Sequence, residues 1–264
     1  MKHDITAVLI KHIQELYQIL DKYNISDKLN FISEAETDMI FQKAILMSVG
    51  YIGELSKKLD DDIKKANPNV NWRRLSTSRN IIFHDYDIVD MEIISSVIFR
   101  DISSLRLMKE VDSKDIKQAI DLVINVFTEF VAPDYSDQGK NAFENYLKNK
   151  YEEISCGSIF ENSGGRYIFA CYQEGKIVGV IATKNHHSRI SLMFVDKQYH
   201  KSGVSKHMFN FVLEKVKQIG VIPQITVSSS PYAVKVYEHL GFMKTGDQQE
   251  TDGIIFIPMI YTEK

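Results

Sequence analysis

The hydrophobic period of this 264-residue chain changes once, near residue 107, and that change limits the folds open to it. Before it, apolar residues recur only at helical spacing. Over residues 4–23, Ile5, Leu9, Ile13, Leu16 and Leu20 make one stripe; over 39–59, Ile40, Ala44, Met47, Tyr51, Ile52 and Leu55 continue the pattern. The turn Asn67-Pro68-Asn69-Val70-Asn71 precedes a third helix expected over 72–83. Asp90 is placed to cap a fourth, over 91–107, carrying Ile94, Val97, Ile98, Ile102 and Leu105. No strand pattern competes, so residues 1–106 predict an all-α helical bundle. From 107 to 264, strand and helix periods interleave, which predicts a separate α/β or α+β domain. Residues 107–111 read as its first strand, a helix follows the cap at Asp112-Ser113-Lys114-Asp115, and residues 167–184 read as a hairpin turning at Glu174-Gly175.

Composition excludes several classes. A net charge of -3 argues against a protein that coats nucleic acid generally. Two cysteines, Cys156 and Cys171, give no disulfide framework and read as core residues in a reducing compartment. The chain opens on a mixed polar helix, and no apolar run approaches the length of a membrane span. A cytoplasmic protein without a membrane partner is expected.

Chemistry concentrates first in residues 190–216. Ile190-Ser191-Leu192-Met193-Phe194-Val195 has the pattern of a buried strand, and Val204, Met208, Phe211, Val212 and Val216 recur as a helix stripe. Between them the backbone N–H groups of Lys201, Ser202, Gly203, Val204, Ser205 and Lys206 lack intrahelical acceptors and stand at the positive end of the helix dipole. That arrangement suits a pyrophosphate, with Gly203 allowing close approach and Lys201 and Lys206 adding charge. An ordinary strand–turn–helix explains the same residues. Downstream comes a strand at 225–227, and Ser228-Ser229-Ser230-Pro231 then opens a helix with an apolar stripe of Ala233, Val236, Tyr237 and Leu240, stopped by Gly241. With His200-Lys201-Ser202-Gly203-Val204-Ser205 and Tyr237-Glu238-His239-Leu240-Gly241-Phe242, residues 107–264 resemble the GNAT acetyltransferases. The first motif departs from Gln/Arg-x-x-Gly-x-Gly/Ala at His200 and Ser205. The resemblance implies a GNAT fold with a mixed central sheet and acetyl-CoA as donor, without a metal. It implies cofactor contacts at Met193, Phe194, Val195, the 201–206 turn and Ser230, with Tyr237 as general acid. A core tyrosine is the alternative for Tyr237. No general base is evident; Glu129 and a water chain are the candidates. Aromatics near Phe127, Phe130 and Tyr135 wall an acceptor pocket or are core. The acceptor is a small amine, a protein amino group or an aminoacyl-tRNA.

The helical half carries its own constellation. Asn80 and His84 are four apart and share a helix face, with Arg79 beside them. Histidine titrates near neutrality and moves protons; a guanidinium braces phosphate oxygens in two places. Capping and solvation of a helix end account for the same residues. Arg79-Asn80-Ile81-Ile82-Phe83-His84-Asp85-Tyr86, together with Pro68-x-x-x-Trp72-Arg73 and Ile52-Gly53-Glu54-Leu55, is similar to the HEPN superfamily, specifically the HepT-like ribonuclease toxins, over 1–106. That resemblance implies a homodimer through the helical domain, RNA as substrate, a metal-independent site built from two copies of Arg79 and His84, and Tyr86 as a modification target. His186-His187 reads as a solvated turn without metal-ligand spacing, and Lys57, Lys58, Lys64 and Lys65 as a mixed solvated surface. The function expected is acetyl transfer joined to a toxin-type ribonuclease. The alternatives are a ribonuclease restrained by its own acetyltransferase, through acetylation of Lys57, Lys58 or Lys65 or through covering of the RNA groove, and a non-catalytic dimerisation module carrying the transferase.

Overall fold

The computed structural model describes residues 4–84, 89–155, 167–220 and 224–263. It divides into two compact units, Met1–Leu107 with Tyr172–Lys176, and Met108–Cys171 with Ile177–Lys264.

The first unit comprises α1 (Ile5–Lys22), α2 (Lys28–Thr37), α3 (Met39–Lys57), α4 (Asp61–Ala66), α5 (Trp72–His84) and α6 (Met91–Ser96), which runs on into a π-helical turn, Val97–Ile102. Aspartate side chains cap four of these helices. Asp4, Asp27, Asp38 and Asp90 each accept from an N–H two or three residues on, at 2.7–3.2 Å, satisfying donors that helix geometry leaves orphaned. Leu9, Phe31, Phe41, Ile45, Ile52, Leu75, Ile94 and Ile98 form the core. Gly53 decides how closely α3 and α5 approach, because a Cβ there would stand 2.7 Å from the Leu75 carbonyl oxygen. The π turn places Asp101 fully inside, where Arg74 grips it with two hydrogen bonds of 2.6 and 2.8 Å and the Asn71 N–H adds a third. A buried carboxylate needs such a set of partners, since an unpaired one costs several kcal/mol, roughly 3–5 when one member is deleted.

The second unit contains β1 (Leu107–Glu110), α7 (Ile116–Phe130), α8 (Asp137–Ser155), β2 (Tyr167–Gln173), β3 (Lys176–Lys184), β4 (Arg189–Val195), α9 (Val204–Gln218), β5 (Gln224–Ser229), α10 (Val234–His239), β6 (Met243–Lys244), β7 (Gln249–Thr251) and β8 (Ile254–Thr262). The strand order is β1-β2-β3-β4-β5-β8-β6, with β7 on β8. The sheet is mixed: β3 and β4 are antiparallel, β4 and β5 parallel, β5 and β8 antiparallel. On one face Val204, Met208, Val212 and Val216 of α9 bury against Ile181, Ile190 and Val227. On the other, Phe127 and Val131 gather Tyr135, Phe143 and Phe194, with the Phe127 and Phe143 rings stacked at 4.0 Å.

Three details differ from the sequence expectation. On α3, Ile40, Met47 and Tyr51 stand exposed, and the buried face is carried instead by Phe41, Ile45, Val49 and Ile52. Val236 is exposed, not part of the buried stripe of its helix; α10 is a short helix that starts after the Pro231 turn and buries Val234 and Tyr237. His187 is not solvated: only 7% of it is accessible, its Nδ1 lies 2.8 Å from Thr183 Oγ1, and its ring stacks on Tyr167 at 4.3 Å. Burial, then the positive charges of Lys215 and His186, bring its pKa down to about 4. The ring is therefore neutral in the fold at pH 7 and gains a proton more readily when unfolded. Stability from this group is complete above the unfolded value of about 6.5 and is lost as pH falls toward about 4. The denaturant midpoint of the protein should drop more steeply across that window than that of His187→Asn; parallel curves would contradict it.

Candidate active site

The geometry of the second unit turns on a gap in its sheet. The parallel strands β4 and β5 pair at Arg189↔Thr226 and Ile190↔Val227, and no further pair forms between their described residues. Against β3, β4 carries one irregularity: Leu192 pairs with Ala182 and Ile190 with Thr183, which leaves Ser191 as an extra residue. Asp196 donates its N–H to the Val178 carbonyl at 2.9 Å. Alternation along the antiparallel ladder then turns the N–H and C=O groups of Met193 and Val195 away from β3, into the gap. The gap opens into a cavity of about 480 Å³.

At one end of the cavity lies the turn into α9. Gly203 caps the helix at φ 88°, a left-handed conformation that favours glycine. Among the described residues no acceptor meets the N–H groups of Gly203, Val204 and Ser205. Lys201 and Ser205 line the cavity; Ser202, Gly203 and Lys206 lie on the adjoining exposed turn. His200 has a role of its own. Its Nε2 lies 2.9 Å from the Val195 carbonyl oxygen, which can only accept, so the ring donates and ties the turn to the end of β4. Phe130 packs on the same ring at 5.1 Å.

Met193, Phe194, Val195, Ser230 and Tyr237 all line the cavity. Tyr237 is 4% accessible, touches Phe242 edge-on at 5.2 Å, and has no hydrogen-bond partner for its hydroxyl among the described residues. Burial pushes its phenol well above the ordinary tyrosine range, so it stands fully protonated at neutral pH. Glu129 is not brought to this cavity. It is exposed, pairs with Lys197 at 3.0 Å and lines a separate depression beside Asn125 and Gln198. Sequence reasoning missed Phe143, Tyr146, Lys184 and Arg189, all of which line the cavity. Phe143, Tyr146 and Leu147, at helical spacing, carried the signal for α8.

In the helical unit, α5 runs through Arg79, Asn80 and His84, so Asn80 and His84 do share a helix face. Arg79 is partly exposed, donates to Asn80 Oδ1 at 3.3 Å and lies 3.6 Å from Glu54. Glu54 also lies 3.6 Å from Lys57 and from Lys58. Tyr86, the side chain of His84 and Cys156 lie outside the described residues.

The family described as an acetyltransferase (GNAT) domain matches residues 131–263, about half of the chain, and the family described as ribonuclease HepT-like matches residues 6–111. The chain is similar to a Thermococcus cleftensis protein named "Probable ribonuclease HepT", at 27% identity over 92 residues, 31% of this chain and 84% of that one. A Methanocaldococcus jannaschii protein named "Putative RNase MJ0127" is 27% identical over 119 residues, 43% of this chain and 95% of its own length. Among solved structures, the PaiA N-acetyltransferase of Thermoplasma acidophilum in complex with coenzyme A is similar at 16% identity, covering 60% of this chain and 99% of that one, with a TM-score of 0.48.

Proposed function

Because the chain belongs to the GNAT acetyltransferase family and carries a HepT-like ribonuclease region, we propose that its second unit transfers an acetyl group from acetyl-CoA to an amine. The observation that carries this reading is the parting of β4 and β5 beside a glycine-capped helix start. The N–H groups of Gly203, Val204 and Ser205, with Lys201 and Lys206, suit the pyrophosphate. Met193 presents a backbone N–H to the gap that suits the thioester carbonyl oxygen, where charge develops as the amine attacks. Acetyl-CoA supplies the activated acyl group; the C–N bond forms as the C–S bond breaks.

In this reading Tyr237, which lines the cavity, protonates the departing sulfur. Its phenol is a weaker acid than a thiol in water, but desolvation raises the proton affinity of a thiolate in the same cavity as well. The amine's own proton goes to water, since no carboxylate lines the cavity among the described residues. Ser230 turns β5 into α10 and supports the cavity wall, its hydroxyl accepting from the Ala233 N–H at 3.3 Å. The test is thiol release from acetyl-CoA by the full chain in the presence of amines, with acetylated product identified by mass. Release only in proportion to spontaneous hydrolysis would overturn the reading.

A second activity has its own support. On α3, Ile40, Met47 and Tyr51 share one face and are 74%, 50% and 49% accessible, and that face leads to Glu54 beside Arg79. An apolar stripe of this kind suits pairing with a second copy, which would bring two Arg79/His84 sets together on RNA. Toxin-type ribonuclease activity and the homodimer belong to this reading.

A further inference from the structure

We infer that the acetyl acceptor is an amine that also bears a carboxylate, of the class of a free amino acid with an apolar or aromatic side chain. This rests on the acetyl-transfer reading above and narrows it to a substrate class.

The charge of the cavity is one-sided. Lys184, Arg189 and Lys201 line it, and no Asp or Glu does among the described residues. Lys201 belongs to the phosphate-binding turn, at one end. Arg189 stands at the other, at the first residue of β4, and its Nη2 donates to Ser228 Oγ at 2.9 Å. No carboxylate pairs with Arg189 among the described residues. Ser228 fixes which side of the sheet the guanidinium occupies. Val227 packs into the core under α9, so Ser228, the next residue along the strand, faces the opposite side. That is the side of Phe127, Tyr135 and Phe143, which gather around Phe194 of β4. The cavity thus offers an aromatic wall for an apolar body and a guanidinium whose fork matches a carboxylate.

The same charges argue against polycations. A polyamine or an aminosugar would enter a cation-lined cavity with no carboxylate to meet it among the described lining residues. Cationic lining also favours the neutral, nucleophilic form of the acceptor amine, which suits a site whose described lining supplies no carboxylate base. An aminoacyl ester or a protein amino terminus has no free α-carboxylate and would leave Arg189 unmatched.

The experiment measures acetyl transfer by the full chain to L-phenylalanine, L-phenylalaninamide, spermidine and phosphoethanolamine, with wild type and Arg189→Gln, and acetyl-CoA affinity by calorimetry on both. The expected result is a kcat/KM for L-phenylalanine at least about tenfold above that for its amide and for spermidine. Arg189→Gln should erase that preference through a raised KM for L-phenylalanine, with acetyl-CoA affinity as the control for folding. Equal or better use of the amide or spermidine would overturn the inference, as would an unchanged preference in Arg189→Gln. Preference for phosphoethanolamine would overturn the carboxylate assignment, and so would an acetyl-CoA-binding enzyme that acetylates no anionic amine. Absence of acetyl-CoA binding would instead remove the acetyl-transfer reading, and this inference with it.

Discussion

Replacing Tyr237 with Phe is expected to slow acetyl transfer about 10²- to 10⁴-fold, the range for loss of a general acid. Acetyl-CoA affinity should not change. The phenol ring is buried among apolar neighbours, and Phe retains its edge contact with Phe242. The hydroxyl makes no hydrogen bond among the described residues, so its removal leaves no orphaned partner and a small effect on stability. Only the proton for the departing sulfur is lost. Steady-state kinetics on both proteins, with melting temperatures alongside, separate the two roles open to this residue. A core tyrosine predicts an unchanged kcat; a general acid predicts an unchanged melting temperature and a collapsed kcat.

In the helical unit, Arg79→Ala and His84→Ala should each lower RNA cleavage by about 10²-fold or more, the scale for removing one electrostatic stabiliser or one proton-transfer group. Arg79 is partly exposed and its ionic contact with Glu54 is 3.6 Å long, a pair worth little to stability in solvent. Its loss should therefore leave the bundle folded. Cleavage of a labelled RNA would be followed with EDTA present, because two copies of an Arg/His set need no metal to move a proton and brace a phosphate. Cleavage that survives either substitution, or that stops when divalent cations are chelated, would contradict the assignment.

The sequence marked the strong helices well, because a long amphipathic stripe with an aspartate before it has few other solutions. It was silent on α2 for a physical reason: that helix buries only Phe31 and Ala35 and leaves Leu29 80% accessible, so it shows almost no stripe. The turn into α9 was legible because one glycine between an apolar strand and an amphipathic helix constrains φ locally. The parting of β4 from β5 was not, since it depends on pairing between distant segments. Arg189 belongs to the same class. Nothing at its place in the chain marks it, and the Ser228 hydroxyl from another strand fixes where its guanidinium lies. His187 went the opposite way, because adjacent histidines on a turn read as solvated while Tyr167 and Thr183 bury the second of them.

The measurement closest to the central claim is calorimetric titration of the full chain with acetyl-CoA, beside Gly203→Glu. At φ 88°, and next to the N–H groups of Val204 and Ser205, which meet no acceptor among the described residues, glutamate brings backbone strain, bulk and a negative charge to the place the pyrophosphate would occupy. Gly203→Ala, which carries the strain without the charge, is the control for folding. The expected result is saturable binding at one site per chain in the wild type, weakened binding in Gly203→Ala, and none in Gly203→Glu. A wild-type protein with no affinity for acetyl-CoA, or a Gly203→Glu protein that binds it equally well, would contradict the account.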